Sequence, residues 1–301
     1  MHQTDNAPSV SVVIAAHNEA SYLHETLTSI LLQSGVSFEV IYVDDHSDDD
    51  SFEIARVLAQ KHSQLRIVQN PKRGKCSAFN FGVSLAKGRF VCIFAGDDVM
   101  PAGSLRERFE AVALEPDDVC VVGVSKLITM SNVNRFDGHL IPRAKGRGAL
   151  SGVSPMMNRK AISLIFPTPE ELPNEDTWME LAVLHMPGWR IVHSNTICCR
   201  WRVHAGNSIN MTMSFDEFNR KITLRMEALR LFMQRFSNEM DSAQKEALQR
   251  KIDMEDARRR GDWRAVLCTG SGLVESLRAL SITNATMYGI RKRLYGLLSG
   301  W

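Results

Sequence analysis

The sequence predicts an α/β fold with a mostly parallel, Rossmann-like sheet, followed by a helical C-terminal extension. Over residues 9–130, short apolar runs alternate with helical spacing, as expected of parallel strands joined by helical crossovers. Two acidic pairs, Asp44-Asp45 and Asp97-Asp98, directly follow apolar runs. Ligands of such sheets bind at the carboxyl ends of the strands. From Phe215 onward the pattern is helical.

Composition allows one large domain or two modest ones, because the chain has 301 residues. Its hydrophobic content of 44% supports a substantial core, and its net charge of +2 indicates no nucleic-acid partner. The first six residues lack the basic and apolar regions of a signal peptide. No apolar run approaches the roughly 20 residues of a membrane span. We therefore expect a cytoplasmic protein.

The six cysteines are predicted to be reduced core residues. Several lie in apolar runs and none forms a C-x-x-C pair, which argues against a structural zinc site. They are Cys76, Cys92, Cys120, Cys198, Cys199 and Cys268.

Five strands and the helices between them are predicted in order along the first part of the chain. The strands are expected at residues 9–15, 38–43, 65–68, 89–94 and 119–124. Helical spacing of Leu23, Leu27 and Ile30 places a helix after the first strand. Ser47 could cap the second helix, and the third and fourth helices are expected at 78–86 and 104–114.

The regular alternation fades after Met130. Residues 131–152 are rich in glycine and basic residues, and we interpret them as a mobile lid over the site. Residues 155–210 mix short helices and strands. We divide the chain into a catalytic domain, residues 1–212, and a helical extension, residues 213–301, in which Arg258-Arg259-Arg260 marks a break between helices.

The end of the chain, residues 287–301, combines a basic triplet with apolar residues. Such a segment fits a peripheral contact with anionic lipid. Ordinary helix packing is the alternative.

The pair Asp97-Asp98 is the strongest chemical signal among the strand ends. Adjacent carboxylates at a buried strand end repel each other unless a cation or hydrogen bonds offset the charge. Mg²⁺ or Mn²⁺ bridging a diphosphate would do so. At Asp44-Asp45, a carboxylate could accept hydrogen bonds from a base or ribose, and a turn followed by a helix cap is the alternative.

Two further motifs suggest a nucleotide pocket. Asn18 and Glu19 can bond a base or ribose, although the same residues also fit a helix start. The basic turn that ends in Lys75 opens a helix, where phosphate is attracted. It lacks the Walker pattern, and a solvated turn is the alternative.

The later motifs add an acidic pair and a cationic face. Glu175-Asp176 precedes a helical segment, so it is either an N-cap or a general base. Strand alternation puts Arg200, Arg202 and His204 on one face, where they could clamp phosphates and ligate a metal.

In order and spacing, these motifs resemble those of the family 2 glycosyltransferases, which have the GT-A nucleotide-sugar-binding fold. The resemblance runs from about Ser9 to Ser208 and rests on the set of motifs rather than on any one of them. The motifs are Ala15-Ala16-His17-Asn18-Glu19, Asp44-Asp45-His46-Ser47, Arg73-Gly74-Lys75 with Asn80, Asp97-Asp98, Asn174-Glu175-Asp176, and Arg202-Val203-His204 with Asn207 and Ser208.

The resemblance implies three groups of site residues. The first binds the nucleotide sugar: Ala16, Asn18, Glu19, Asp44, Asp45, Lys75, Asn80, Asp97 and Arg202. The second, Asp98 with His204, holds a divalent cation, Mn²⁺ or Mg²⁺. The third is Asp176, the catalytic base, with Glu175 sharing that work.

One position departs from the family pattern. Many members carry an acid two residues before Asp97, where this chain has Ala95. Fewer carboxylates would then hold the metal. Ala95 is the main support for the alternative of a non-catalytic nucleotide-sugar-binding or scaffold relative. A sugar nucleotidyltransferase is disfavoured, because the glycine-rich N-terminal signature is absent.

The predicted function is therefore that of an inverting glycosyltransferase in bacterial surface polysaccharide synthesis. It would move a sugar from a nucleoside diphosphate sugar to a hydroxyl of a saccharide or glycolipid acceptor. The resemblance to the family favours UDP as the nucleotide of the donor, and dTDP and GDP are the alternatives. A peripheral contact would place the enzyme at the cytoplasmic face of the inner membrane.

Overall fold

The computed structural model describes residues 7–150, 152–204 and 213–294. Eight strands form one sheet: β1 Val10–Ala16, β2 Phe38–Asp44, β3 Leu65–Gln69, β4 Phe90–Ala95, β5 Cys120–Met130, β6 Leu140–Ile141, β7 Met156–Asn158 and β8 Trp189–Arg202. Helices flank it: α1 Ala20–Leu31, α2 Ser51–Ala59, α3 Lys75–Leu85, α4 Ser104–Val112, α5 Arg159–Ile165 and α6 Asp176–His185. The C-terminal helices are α7 Phe215–Phe236, α8 Ser242–Arg259, α9 Trp263–Cys268, α10 Leu273–Leu280 and α11 Ala285–Arg293.

The sheet is mostly parallel, as predicted. Its order is β3-β2-β1-β4-β7-β5-β6, with β8 also paired to β5. Strands β1 to β4 run parallel, β8 runs parallel to β5, and the short β6 and β7 are antiparallel. In register, Ala16 lies opposite Asp44, and Ala15 lies opposite Ala95. The acidic pairs therefore follow strands that end side by side.

The five predicted strands are present, but β5 continues to Met130, beyond the predicted end at residue 124. Its second half looks polar in sequence because it contains Ser125 and Lys126. Lys126 is nevertheless buried. Its Nζ donates to the carbonyl oxygens of Pro142 (2.8 Å) and Ala144 (2.6 Å), which satisfies the buried charge locally.

Ser47 does not cap α2, contrary to the prediction. The helix begins at Ser51. The N–H of Ser47 donates to Asp44 Oδ2 (3.0 Å), and Ser47 Oγ accepts from the N–H of Asn18 (3.1 Å). Ser47 therefore closes the turn after β2 and joins it to the turn after β1.

The predicted lid is a loop that contains a short 3-10 turn, Asn134–Phe136, and the two-residue strand β6. The second half of this loop is hydrogen-bonded to β5 and β8. The N–H of Gly146 donates to Asn195 Oδ1 (3.0 Å), and that of Ala149 donates to the carbonyl oxygen of Ser125 (2.8 Å). Its role as a lid stays a prediction.

Both faces of the sheet are buried. One face packs against α1, α2 and α4 and the other against α3 and α6. On the second face the core continues into the C-terminal helices, because the Trp178 ring of α6 packs 5.0 Å from Phe232 and 5.8 Å from Phe236 of α7. The helical extension thus shares a core with the sheet. The predicted domain boundary itself falls within residues 205–212, outside the described residues.

One smaller prediction is confirmed, and the prediction of buried cysteines is correct for five of the six. Helix α8 ends at Arg259, within the basic triplet that marked a break. All six cysteines are free thiols and five of them are buried, whereas Cys268 is exposed. None of the helices in the described ranges is long and apolar enough to span a bilayer.

Candidate active site

Three carboxyl groups gather where β1 and β4 end. Burial raises the pKa of Glu19 to about 8, and the charges of Asp97 and Asp98 act in the same direction. Burial also raises the pKa of Asp98 to about 7, with Asp97 again adding to the shift. Negative charges held this close repel one another, and a cation bound among them would stabilise this region. Glu19 supplies a carboxyl group beside the acidic pair despite the alanine at position 95.

Small residues allow these strand ends to approach one another. A Cβ on Gly96 would lie 2.7 Å from the Cβ of Ala16, so a larger side chain at either position would force the backbones apart. Thr26 of α1 donates its hydroxyl to the carbonyl oxygen of Gly96 (3.0 Å). The acidic turn after β4 is thereby held against β1 and α1.

Asp98 points inward and links β4 to β8. Its side chain is only 2% exposed. Oδ1 accepts from the backbone N–H of Arg202 (2.8 Å), and the thiol of Cys199 also donates to the carboxylate. Val99 and Arg200 form two backbone hydrogen bonds beside it. Asp98 therefore fixes the end of β8 against the acidic turn.

Arg202 and His204 both converge on Asp97. His204 Nε2 donates to Asp97 Oδ2 (3.0 Å), and Arg202 Nε donates to the Asp97 carbonyl oxygen (2.8 Å). Arg202 is further held by Glu25 (2.6 Å) and by the ring of Tyr22, whose centroid is 4.6 Å away. Sequence reasoning identified both Arg202 and His204 but missed these two α1 partners, which carry no motif of their own. Arg200, by contrast, is exposed.

The two predicted metal ligands, Asp98 and His204, have different hydrogen-bond partners. His204 contacts Asp97, whereas Asp98 is bonded to the backbone of Arg202. Within residues 7–150, 152–204 and 213–294, no three His, Cys, Asp or Glu side chains converge as a preformed metal site. The donor chemistry nevertheless fits a hard divalent cation, since carboxylate and imidazole groups meet where negative charges oppose one another. Asn207 and Ser208 lie outside the described residues.

Asp45 fixes the basic turn on the nucleotide side. Its carboxylate accepts from Asn70 Nδ2 (2.7 Å) and from the backbone N–H of Gly74 (2.9 Å to Oδ1). Gly74 has a φ of 136°, which only glycine adopts readily, and it directly precedes α3. Asp45 therefore sets the direction in which α3 begins. The buried Asp44 accepts from Tyr42 and from the N–H of Ser47.

The segment from Ala16 to Glu19 is connected to the same turn. The Asp45 N–H donates to the Ala16 carbonyl oxygen (2.8 Å), and Asn18 Oδ1 accepts from the N–H of Asp48 (2.8 Å). His17 Nδ1 donates to the Asp45 carbonyl oxygen (3.0 Å), so its Nε2 accepts from Arg73 Nη2 (3.1 Å). His17 was missing from the predicted site, although it lies inside the predicted motif.

Asn80 lies in a different groove. It donates to the carbonyl oxygen of Thr168 (2.8 Å) and accepts from the Thr168 N–H (2.8 Å). The groove has a volume of about 630 Å³ and is lined by Asn80, Pro167, Thr168, Pro169, Glu170, Glu171, Trp178, Leu231, Gln234 and Arg235. The structure thus gives Asn80 a structural contact and does not test its predicted role at the base or diphosphate.

Glu175 and Asp176 occupy unlike environments at the start of α6. Glu175 is 3% exposed, burial raises its pKa, and its Oε1 lies 3.3 Å from Lys75 Nζ. Asp176 is partly exposed and accepts from Arg225 Nη2 at 2.9 Å (Oδ1) and 2.6 Å (Oδ2). Lys75 and Arg225 belong to α3 and α7 respectively. Arg225 was missed because it lies beyond the matching motifs.

This combination of fold and site defines a GT-A type glycosyltransferase: a mostly parallel sheet with carboxylates at its central strand ends, a basic turn at a helix start and a second acidic pair. The family model of glycosyl transferase family 2 matches residues 11–161. The chain belongs to that family.

Curated relatives resemble only part of the chain. Glycosyltransferase GlyG of Streptococcus pneumoniae is 33% identical over 113 residues, covering 37% of this chain and 38% of that protein. Succinoglycan biosynthesis protein ExoO of Rhizobium meliloti is 33% identical over 106 residues, covering 35% of this chain and 30% of that protein. The chain thus spans well under half the length of these relatives.

Solved structures resemble the chain over nearly its full length. TarS residues 1–349 of S. aureus, in complex with UDP-GlcNAc, matches with a TM-score of 0.62 and 18% identity, covering 97% of this chain and 88% of that one. The mannosyltransferase PcManGT of Pyrobaculum calidifontis, in complex with GDP-Man and Mn²⁺, matches with a TM-score of 0.57 and 18% identity, covering 99% and 89%. At this identity the likeness establishes the fold.

Proposed function

We propose that the chain is an inverting glycosyltransferase that moves a sugar from a UDP-sugar to a hydroxyl of a saccharide or glycolipid acceptor in surface polysaccharide synthesis. The observation that carries the proposal is the partly exposed carboxylate of Asp176, beside the buried Glu175 and the cation Lys75 at the start of α3. The UDP-GlcNAc complex of TarS and the succinoglycan role of ExoO support the donor and the process.

Asp176 acts as the general base. It removes the proton of the acceptor hydroxyl while that oxygen attacks the anomeric carbon, and the bond from that carbon to the diphosphate oxygen breaks. Attack from the face opposite the leaving group inverts the anomeric configuration. Glu175 is the poorer candidate because it is buried and bound to Lys75.

The nucleoside diphosphate would lie near the basic turn that precedes α3 and near the guanidinium of Arg202. The first turn of α3 offers backbone N–H groups and positive charge, which favour a phosphate. Asp45 holds that turn in place. Arg202 presents its guanidinium beside the acidic turn, oriented by Glu25 and the Asp97 carbonyl oxygen.

A divalent cation would be held by Asp98 and His204, with Asp97 beside them, and it would offset the charge that develops on the departing diphosphate. The Mn²⁺ complex of PcManGT supports this assignment. The mutual repulsion of the carboxyl groups of Glu19, Asp97 and Asp98 supports the assignment independently.

Thermal unfolding against UDP, GDP, dTDP and CDP, each with and without Mn²⁺, tests the proposal. A ligand at about 100 times its Kd adds about 2.7 kcal/mol to the free energy of unfolding, which shifts Tm by several degrees. We expect a shift with UDP that grows with Mn²⁺. The anomeric configuration of the product by NMR then tests inversion. An absence of shift with every nucleotide would favour a non-catalytic scaffold.

We also propose a peripheral contact with an anionic membrane surface through α9 to α11. Apolar side chains project to solvent there, among them Trp263, Leu273 (73% exposed) and Val274. Basic residues accompany them, including Arg264 and the Arg291-Lys292-Arg293 triplet. Mixed apolar and basic helices of this kind bind lipid headgroups and shallow acyl chains. The part of the predicted anchor after Leu294 lies outside the described residues.

A further inference from the structure

We infer that Arg225 of α7 is a positioning residue for the reaction: it holds the carboxylate of Asp176 in the orientation from which that carboxylate removes the acceptor proton. The inference rests on the proposed function, because it presupposes the base role of Asp176. It adds a residue from the helical extension, outside residues 11–161 that match the family.

The contact between the two side chains is close and engages both carboxylate oxygens. Arg225 Nη2 lies 2.9 Å from Asp176 Oδ1 and 2.6 Å from Oδ2. Arg225 is 24% exposed and Asp176 is 19% exposed, so the pair lies at the edge of the core where an acceptor could reach it. Charge-assisted hydrogen bonds of this length orient a carboxylate better than water does.

Acceptor capacity at Asp176 is not exhausted by these contacts. A carboxylate offers about four lone-pair positions on its two oxygens. Arg225 occupies one on each oxygen, and the N–H of Thr177 takes a second on Oδ1 (2.8 Å). The remaining position is on Oδ2. Among the contacts made by the described residues, Arg225 and Thr177 therefore leave one lone pair of Oδ2 for an acceptor hydroxyl.

Each of the two adjacent acids, Glu175 and Asp176, pairs with its own cation. Neighbouring carboxylates repel each other, and here each has its own partner from a different element. Lys75 of α3 faces Glu175, and Arg225 of α7 faces Asp176. Without Arg225, Asp176 would be free to turn toward Lys75, which is the other cation near the pair. The position of the base would then be divided between two orientations.

Helix α7 is well placed to hold Arg225 rigidly. Leu229 and Phe232 follow Arg225 at helical spacing and are buried. Phe232 packs on Trp178, which belongs to α6, the helix that begins with Asp176. The packing that joins α6 and α7 therefore also sets the distance between Arg225 and Asp176.

The first test compares Arg225→Met with Arg225→Lys and with Arg230→Met as a matched control. Arg230 lies on the same helix but pairs with Asp256 of α8. We expect Arg225→Met to lower kcat about 10²-fold, the loss that misplacement of a reacting group can produce, with KM for the donor and the UDP-induced Tm shift unchanged. Arg225→Lys should recover part of kcat, and Arg230→Met should retain it. Unchanged kcat in Arg225→Met would overturn the inference.

A double-mutant cycle with Asp176→Asn shows whether Arg225 acts through Asp176. If it does, Arg225→Met lowers the residual turnover of Asp176→Asn little further. A full additional loss would overturn the inference. Turnover of Asp176→Asn at the wild-type rate would instead refute the base assignment of the proposed function. Far-UV circular dichroism of each variant distinguishes loss of fold from loss of turnover. If Arg225→Met unfolds, the turnover of Arg225→Lys tests the inference instead.

Discussion

Asp45 shows how a single carboxylate can hold in place the backbone at the start of a helix. It receives hydrogen bonds from Asn70 and from the N–H of Gly74. These bonds position the backbone at the start of α3, where a phosphate would be bound. The motif at Asp44-Asp45 was predicted to contact the base directly, and that role stays a prediction. The structure adds an anchoring role that the spacing of residues did not reveal.

Replacing Asp45 by Ala should weaken both folding and nucleotide binding. The buried donors of Asn70 and Gly74 would lose their acceptor, which costs about 1–3 kcal/mol in the free energy of unfolding. Urea denaturation and a UDP titration would measure the two effects. Asp48→Ala is the control, since Asp48 is exposed on the same loop. Equal UDP affinity in Asp45→Ala and the wild type would refute the anchoring role.

Replacing Asp176 by Asn should lower turnover and leave donor binding intact. The amide keeps the shape of the side chain but cannot take the acceptor proton, and loss of a general base typically costs about 10²–10⁴-fold. UDP release in the presence of acceptor would measure turnover. Asp216→Asn, an exposed acid at the start of α7, is the control. A variant that turns over at the wild-type rate would move the base role to another group.

At this scale, sequence reasoning identified residues whose motif lies next to a strand end. It put Arg200, Arg202 and His204 on one face of a strand, and in the structure Arg202 and His204 reach Asp97, whereas Arg200 is exposed. It could not find Tyr22, Glu25 or Arg225. Their contacts join residues far apart in the chain, and nothing in their local spacing differs from ordinary surface helices.

At the scale of elements, the contact between α6 and α8 contains a buried histidine. His185 lies in the last turn of α6 and is 4% exposed. Burial lowers the pKa of His185 to about 4, and the charge of Lys251 acts in the same direction. The imidazole is therefore neutral in the folded protein over most of the acidic range, whereas in the unfolded chain it takes up a proton near pH 6.5.

This histidine should make the fold sensitive to mild acid. Between about pH 6.5 and pH 4 the unfolded state binds more protons than the folded state, so stability falls as pH decreases, by up to about 3 kcal/mol from this group. Its contribution is fully present above pH 6.5. Urea denaturation at several pH values should show a shallower decline for His185→Gln than for the wild type. His24→Gln, at an exposed position of α1, is the control. Parallel curves for His185→Gln and the wild type would contradict the assignment.

Elements differed in how far the sequence predicted them. Strands β1, β2 and β4 are buried on both faces, so each contains an unbroken run of at least four apolar residues. Strand β8 pairs with β5 at the edge of the sheet and is only partly buried, and its sequence therefore mixes polar and apolar residues without a clear run. Strands β6 and β7 are too short to produce a period at all.

For the whole molecule, the helical extension is continuous with the catalytic fold. Phe232 and Phe236 of α7 pack on Trp178, and Arg225 reaches Asp176. The family match ends at residue 161, yet solved GT-A structures align with nearly the whole chain. The motifs that carried the resemblance lie at the strand ends. The helices that complete the core and contact the acidic pair carry no such motif, because apolar packing accepts many residues.

The outer helices α9 to α11 provide the last prediction, which concerns the surface of the molecule. If Leu273 and Val274 enter a membrane interface, each contributes about 1.5 kcal/mol, so Leu273→Ser with Val274→Ser should weaken binding to vesicles of phosphatidylglycerol by tenfold or more. Flotation with these vesicles and with phosphatidylcholine measures the effect and its charge dependence. Leu114→Ser is the matched control, because Leu114 is 99% exposed at the end of α4, away from these helices in sequence. Equal flotation of the double variant and the control would exclude α10 as the contact, whereas a selective loss would place α10 at the lipid surface.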